Sequence, residues 1–284
     1  MTNHAESVRA RLRARARADG EDFQRVLVRY ANERLLYRLG RSTSSQDFVL
    51  KGATLFTLWL GEPHRATKDL DLLGRGEPDV EHFVGLFRGV LGLSFPEDGI
   101  TFDPDALEGR FIREDARYQG VRLIVPATLA GARLRLQVDI GLGDAVVPAP
   151  VVIEFPTLLP LPGPQVKAYA RETVVAEKLE ALVILGMTNS RMKDYYDLDL
   201  LRDRFEFDDV LVDAVAASFR RRGTPIPSRP PVGLTDAFAQ DAAKRTQWSA
   251  FLRKAGASRV RDLADVVGGL RGWLWPVLEA ASRR

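Results

Sequence analysis

No cysteine occurs among the 284 residues of this chain, which rules out disulfides and thiolate metal sites and suits a reducing cytoplasm. Histidine is nearly as scarce: His4, His64 and His82 are scattered and suggest no triad. No apolar run approaches the roughly 20 residues of a membrane span, and the polar start MTNHAESVRA lacks the apolar segment of a signal peptide. A cytoplasmic protein with no membrane partner is the expectation. Neither charge dominates. Lys and Arg number 41 against 38 Asp and Glu, a net +3 that is compatible with a polyanionic partner without demanding one. There is no Walker loop, no zinc-ligand cluster and no internal repeat. What is present is an ordinary hydrophobic content of 45% and enough length to bury a sizeable core and hold two domains.

The chemistry concentrates between Phe48 and Leu73, FVLKGATLFTLWLGEPHRATKDLDLL. Phe48-Val49-Leu50 reads as a short strand or as the lead into a helix starting near Gly52. Thr54 to Leu60 is helix-compatible and is closed by Gly61 and Pro63. A loop from His64 to Lys68, with cationic Arg65 and Lys68, then leads to Asp69-Leu70-Asp71-Leu72-Leu73. On a strand, successive side chains face opposite ways, so Asp69 and Asp71 share one face about 7 Å apart while Leu70 and Leu72 enter the core. Two such carboxylates repel unless a cation lies between them, and magnesium held by carboxylates and substrate phosphates is the usual solution. Thr67 would share their face, either as a site residue or simply as a β-branched strand residue.

Around this centre the periodicity is readable. Residues 22–39 form an amphipathic helix, with Phe23, Val26, Leu27, Tyr30, Leu35 and Leu39 near one face, Asp22 at its start and Gly40 at its end. Before it, Arg9, Arg11, Arg13, Arg15 and Arg17 alternate, as a solvated helix or frayed tail, or as a phosphate-facing arm. Residues 79–91 read as a helix and 100–125 as strands with turns. In Arg133 to Ile140, RLRLQVDI, Leu134, Leu136, Val138 and Ile140 take one face and Arg133, Arg135, Gln137 and Asp139 the other. Asp139 is then either a third ligand or an exposed aspartate before Gly141. Six prolines in 144–168 read as an extended connection and place a domain boundary there. In the helix 171–185, Lys178 is surrounded by Val174, Val175, Ala181 and Leu182. A lysine on an apolar face either snorkels at the edge of the core or points into a cleft. A helix starting near Lys193 puts Asp194, Asp197, Leu198 and Leu201 on one face. Residues 206–284 are mostly helical, and Trp248, Phe251 and Trp273 sit at the spacing of core packing rather than base stacking.

The turn Gly52-Ala53 after an apolar run, followed by Asp69-Leu70-Asp71 on a strand, resembles the nucleotidyltransferases of the DNA polymerase β type. With Glu177-Lys178-Leu179 and the RxKDxxDL run from Arg191 to Leu198, the chain resembles more narrowly the AbiEii branch, the toxins also called MenT. That family usually has Gly-Ser or Gly-Gly where Gly52-Ala53 stands. The resemblance covers roughly residues 45–200 and implies an α+β fold: a polymerase-β-like core of mixed sheet and helices plus a helical C-terminal lobe, bilobed overall. The implied segments are N-terminal helices over 1–45, a nucleotidyltransferase domain over 46–160 and a helical domain over 161–284 that brings Lys178 and Asp194 to the cleft. The resemblance implies Asp69, Asp71, Lys178 and Asp194 as catalytic residues and Asp69, Asp71 and Asp139 as ligands of Mg²⁺. It implies Lys51, Gly52, Thr67, Lys178, Arg191 and Lys193 as nucleotide-binding, with Asp197 the alternative to Asp194 as the essential residue. The implied activity is transfer of a nucleoside monophosphate from a nucleoside triphosphate to RNA, foremost the 3′ end of tRNA, blocking translation, with a cognate antitoxin of AbiEi or MenA type encoded nearby. The rivals are a small-molecule nucleotidyltransferase of the antibiotic-modifying kind and a non-catalytic RNA-binding protein; Arg9–Arg17 and Arg220–Arg222 mildly favour RNA. Replacing Asp69 or Lys178 by alanine is expected to abolish transfer and leave the fold intact.

Overall fold

The structure is a computed structural model in which residues 4–61, 67, 69–115, 118–255 and 261–284 are described. The expected loop cations Arg65 and Lys68, and Pro63 and His64 beside them, lie outside those residues. Contacts divide the chain into two units. One comprises residues 1–143 and 151–168, the other residues 144–150 and 169–284.

The first unit is built on a mixed eight-stranded sheet. Its strands are β1 (Phe48–Lys51), β2 (Asp69–Gly74), β3 (Ile100–Phe102), β4 (Glu108–Asp115), β5 (Tyr118–Leu129), β6 (Ala132–Leu142), β7 (Val151–Glu154) and β8 (Gln165–Ala168). They run in the order β3-β5-β6-β2-β1-β8-β7, with β4 paired to β5 as well. The β5–β6, β1–β2 and β7–β8 pairs are antiparallel, whereas β2–β6 and β1–β8 are parallel. The alternation expected in RLRLQVDI holds: Leu134, Leu136, Val138 and Ile140 are buried, as are Leu70 and Leu72 of β2 and Val121, Leu123 and Val125 of β5. Phe48-Val49-Leu50 resolves as strand rather than helix lead.

Among the described residues four α-helices belong to this unit: α1 (His4–Ala18), α2 (Phe23–Arg41), α3 (Thr54–Leu60) and α4 (Val80–Leu91). Asp22 caps α2, its carboxylate accepting from the Arg25 amide at 3.0 Å. The apolar stripe of α2 is buried as expected, but one expectation for this helix fails and another is incomplete. Gly40 does not end the helix but lies inside it, because a Cβ there would strike the Gln165 carbonyl oxygen of β8; helix and strand touch backbone to backbone. Nor is α2 merely amphipathic. Glu33, Arg34 and Arg38 are buried along with the apolar stripe, as ion pairs Arg34–Glu33 at 2.9 Å and Arg38–Asp98 at 2.6 Å. A buried charge survives only when paired and hydrogen-bonded, and here Arg38 also donates to the Leu93 and Ile100 carbonyls.

The prolines of 144–168 flank two short strands rather than forming one connector. β7 and β8 carry no proline themselves and hydrogen-bond into the sheet, so the expected boundary at 160 falls between two strands of the first unit. The second unit is helical: α5 (Arg171–Leu185), α6 (Met192–Arg204), α7 (Asp209–Arg222), α8 (Asp236–Gln240), α9 (Ala242–Ala255) and α10 (Leu263–Ala281). Val175, Leu179, Leu182, Tyr195, Leu198, Leu201, Val215, Leu270 and Leu274 make its core. The aromatics pack on one another, Tyr195 on Phe238 at 5.1 Å between centroids and Trp248 on Phe251 at 5.8 Å. Among the described residues no helix is long and apolar enough to cross a membrane.

Candidate active site

Strand register assembles the first cluster. In β1–β2 Lys51 is paired with Asp71, in β2–β6 Asp71 with Asp139, and in β5–β6 Asp139 with Arg122. Directly paired residues project from the same face. One row of charge, Lys51–Asp71–Asp139–Arg122, therefore crosses four adjacent strands at the usual spacing of about 4.8 Å per strand. Asp69 stands one pleat along, on the same face, beside Gln137. The opposite face is core, with Leu70, Leu72, Val138 and Ile140 buried beneath. None of these placements depends on a loop.

Gly52 closes the row at the Lys51 end. Its φ is +74°, a left-handed conformation that glycine adopts without a steric cost, and a Cβ there would meet the Asp71 carboxylate. The expected nucleotide residue is thus glycine for two independent reasons. Ala53 follows in right-handed conformation and starts α3 without a side-chain cap. Thr67 is exposed, and its hydroxyl donates to the Asp69 carbonyl at 3.5 Å.

Sequence reasoning missed Arg122. Its guanidinium holds Asp139 in a fork, Nε to Oδ1 and Nη2 to Oδ2, each at 2.7 Å, and Gln137 Nε2 donates to Oδ2 at 3.1 Å. The signal was available, since Arg122 is a lone cation on a strand whose alternate residues Val121, Leu123 and Val125 are apolar. Among the described residues no group of three or more His, Cys, Asp or Glu is arranged to hold a metal ion. Asp69 and Asp71, hard oxygen donors on one face, suit a divalent cation completed by substrate phosphates. Asp139 stands at the expected place beside Asp71, with both oxygens taken by Arg122.

The second cluster lies within the helical unit. Lys178 of α5 neither snorkels nor stands alone: Nζ donates to Asp194 Oδ1 at 2.7 Å and to Asp197 Oδ2 at 2.8 Å. Arg191 Nε adds 2.7 Å to Asp194 Oδ2. Both aspartates are fully buried, while 12% of the Lys178 side chain is exposed. Burial pushes the Asp194 carboxyl up, but Lys178 and Arg191 beside it outweigh that and hold it below the usual aspartate range. Burial and the Asp194 charge together push the Tyr195 phenol up; its hydroxyl donates to the Gly233 carbonyl at 2.9 Å. The α5–α6 loop is pinned from both sides. Asn189 Oδ1 accepts from the Arg191 amide at 2.8 Å, and Lys244 of α9 donates to the Asn189 carbonyl at 2.9 Å. Lys193, between Met192 and Asp194, is exposed.

The expected basic run Arg220–Arg222 is not uniform. Arg222 pairs with Glu180 at 2.8 Å, Asp144 at 3.0 Å and Glu177 at 3.8 Å. Burial would lower its pKa, but the facing carboxylates raise it above the ordinary arginine value. It is a tie within the helical unit and not a free RNA contact.

A family profile described as the AbiEii nucleotidyl transferase toxin of type IV toxin–antitoxin systems matches residues 34–273. The chain belongs to the AbiEii family. It is therefore a nucleotidyltransferase of a toxin–antitoxin system, and membership implies a nucleotide substrate and an antitoxin partner. No curated protein matches the chain. Among solved structures, a Helicobacter pylori protein carrying a provisional nucleotidyltransferase designation and JHP933 from Helicobacter pylori are similar. Each is 17% identical with a TM-score of 0.49; 88% of this chain is covered, against 93% and 90% of theirs. The AbiEii match takes in both charged clusters and begins inside α2, leaving α1 outside it.

Proposed function

We propose that this AbiEii protein transfers a nucleoside monophosphate from a nucleoside triphosphate to an RNA acceptor, foremost the 3′ end of tRNA, in a reaction that depends on Mg²⁺ and blocks translation. The observation that carries the reading is the row Lys51–Asp71–Asp139–Arg122 with Asp69 beside it, carboxylates flanked by cations on one sheet face. In the reaction the acceptor hydroxyl attacks the α-phosphorus in line. The new O–P bond forms as the bond to the β-phosphate oxygen breaks, pyrophosphate leaves with the bonding electrons, and the hydroxyl proton passes to solvent.

In this reading Asp69 and Asp71 hold the cation, which when bound lowers the pKa of the acceptor hydroxyl and stabilises the departing pyrophosphate. Gly52 lets the triphosphate approach the backbone beside Asp71, and Lys51 and Thr67 flank it. Arg122 keeps Asp139 oriented and its charge answered. Lys178, Arg191 and Lys193 are assigned to the charge of the triphosphate, with Asp194 and Asp197 fixing the Lys178 ammonium. The partner is a cognate antitoxin encoded nearby, and the compartment is the cytoplasm.

The test mixes purified protein, Mg²⁺, total tRNA and each labelled nucleoside triphosphate separately. Label in tRNA from one nucleotide, lost with Asp71→Asn and with chelator, is the expected result. Label on aminoglycoside-type acceptors offered in a parallel reaction but none on tRNA, or no transfer from any nucleotide, overturns it.

A further inference from the structure

Neither the family match, which begins at residue 34, nor the proposed chemistry accounts for α1. Its apolar stripe, Val8, Leu12 and Ala16, is buried in the first unit. At 3.6 residues per turn, Arg9, Arg13 and Arg17 fall on one side of that stripe and Arg11 and Arg15 on the other. The flanks differ. Arg15 is paired with Asp19 at 2.7 Å. On the opposite flank Arg9 donates to the Ala130 carbonyl at 2.7 Å and Arg13 lies over the Phe23 ring at 5.0 Å. Among the described residues neither Arg13 nor Arg17 has an ion-pair partner. This flank is a shallow face of α1 that also carries Glu6, Ala10 and Ala14. Short alanines between guanidiniums leave room for anions, and the arginines recur every four residues, about 6 Å along the helix axis.

We propose that the Arg9–Arg13–Arg17 flank of α1 is a docking surface for the phosphodiester backbone of the RNA acceptor. It rests on the reading that the acceptor is RNA. A regular file of guanidiniums suits a regularly repeated charge, because each planar fork can take a phosphate with two hydrogen bonds. A membrane surface is the poorer fit, since a basic helix that binds lipid inserts its apolar face, and the apolar face of α1 is already buried. The surface positions the acceptor and does no chemistry.

The test compares two double variants of the full chain that remove equal charge: Arg13→Gln with Arg17→Gln, and Arg11→Gln with Arg15→Gln. Arg9 is left in place because it also ties α1 to Ala130. Total tRNA is bound by each protein at salt from about 50 to 200 mM, after thermal melts establish that both are folded. Expected for the first variant is roughly tenfold or more weaker binding and a slope of log affinity against log salt shallower by about 1.4–1.8, two contacts at 0.7–0.9 each; the second keeps the native slope. If the first variant melts early, Arg17→Gln alone should lower the slope by about 0.7–0.9. Equal losses in both variants, an unchanged slope, or tight binding to anionic phosphatidylserine vesicles without binding to tRNA overturns the proposal. Labelled transfer with unchanged KM for tRNA in the first variant sinks this surface and leaves the activity standing. A shifted slope with no label transferred to any RNA does the reverse.

Discussion

The sheet row and the helical cluster hold similar charges by different means. In the row, Lys51, Asp71, Asp139 and Arg122 take their places from strand register, and each stands half-buried on a strand whose other face is core. In the cluster, the places of Lys178, Asp194 and Asp197 are held by the charges themselves, with two carboxylates fully buried against one ammonium. Backbone-fixed groups can lose a side chain without disturbing the frame. Charge-fixed groups cannot, because removing one member strands the others in a low-dielectric interior.

Breaking the row should give the largest effect. Asp71→Ala is expected to lower labelled transfer by at least ~100-fold while the melting temperature stays near native, because Asp71 is half-buried on a preformed face. A native rate in that variant would remove the row from the mechanism. Next, Lys178→Ala should cost about 3–5 kcal/mol of stability, read by urea denaturation, because Asp194 and Asp197 lose their shared ammonium. This revises the expectation that the fold would survive Lys178→Ala intact. A variant with native stability and no transfer would show the cluster to be as ligand-directed as the row. Gly52→Ala tests the meeting of turn and carboxylate. About 1–2 kcal/mol is expected from the left-handed backbone alone, together with reduced transfer as Asp71 is displaced. Loss of stability without loss of transfer would separate the turn from the site.

The smallest effect sharpens the comparison through pH. The folded pKa of Asp194 is depressed below 3.8, so its stabilisation is complete above that value and is lost as pH falls through the folded pKa. Acid titration of the urea midpoint should therefore show a falling limb below about pH 4 that Asp194→Asn lacks. An identical limb in both proteins would place the depression elsewhere.

Much of this was legible in the sequence, for local reasons. DLDLL and RLRLQVDI alternate with period two, and both produced strands whose polar faces meet. The helix 171–185 and the odd lysine within it were equally plain. The partners were not. That Asp139 is gripped by Arg122, or that Lys178 reaches both Asp194 and Asp197, depends on register and packing between successive elements, which the periodicity of each element alone does not give. Gly40 misled because glycine after a periodic helix usually marks its end; here it marks where β8 comes within backbone contact. The prolines misled in another way, since Pro148, Pro150, Pro156 and Pro164 border strands too short to show a periodicity. Arg222 reads as part of a basic run that mildly favours RNA and is instead a tie among Glu180, Asp144 and Glu177.

The route of the chain has a practical result for anyone dissecting the protein. Residues 144–150 belong with the helices although 151–168 return to the sheet, so the polypeptide changes unit three times. A single scission at any point would leave one fragment missing a piece. Expression from Tyr169 onward would lack Asp144, the partner of Arg222, and Val147, whose carbonyl accepts from Thr173 at 2.7 Å. Independent preparation of either half calls for a rewired polypeptide, in which the helical portion carries its heptapeptide grafted back on.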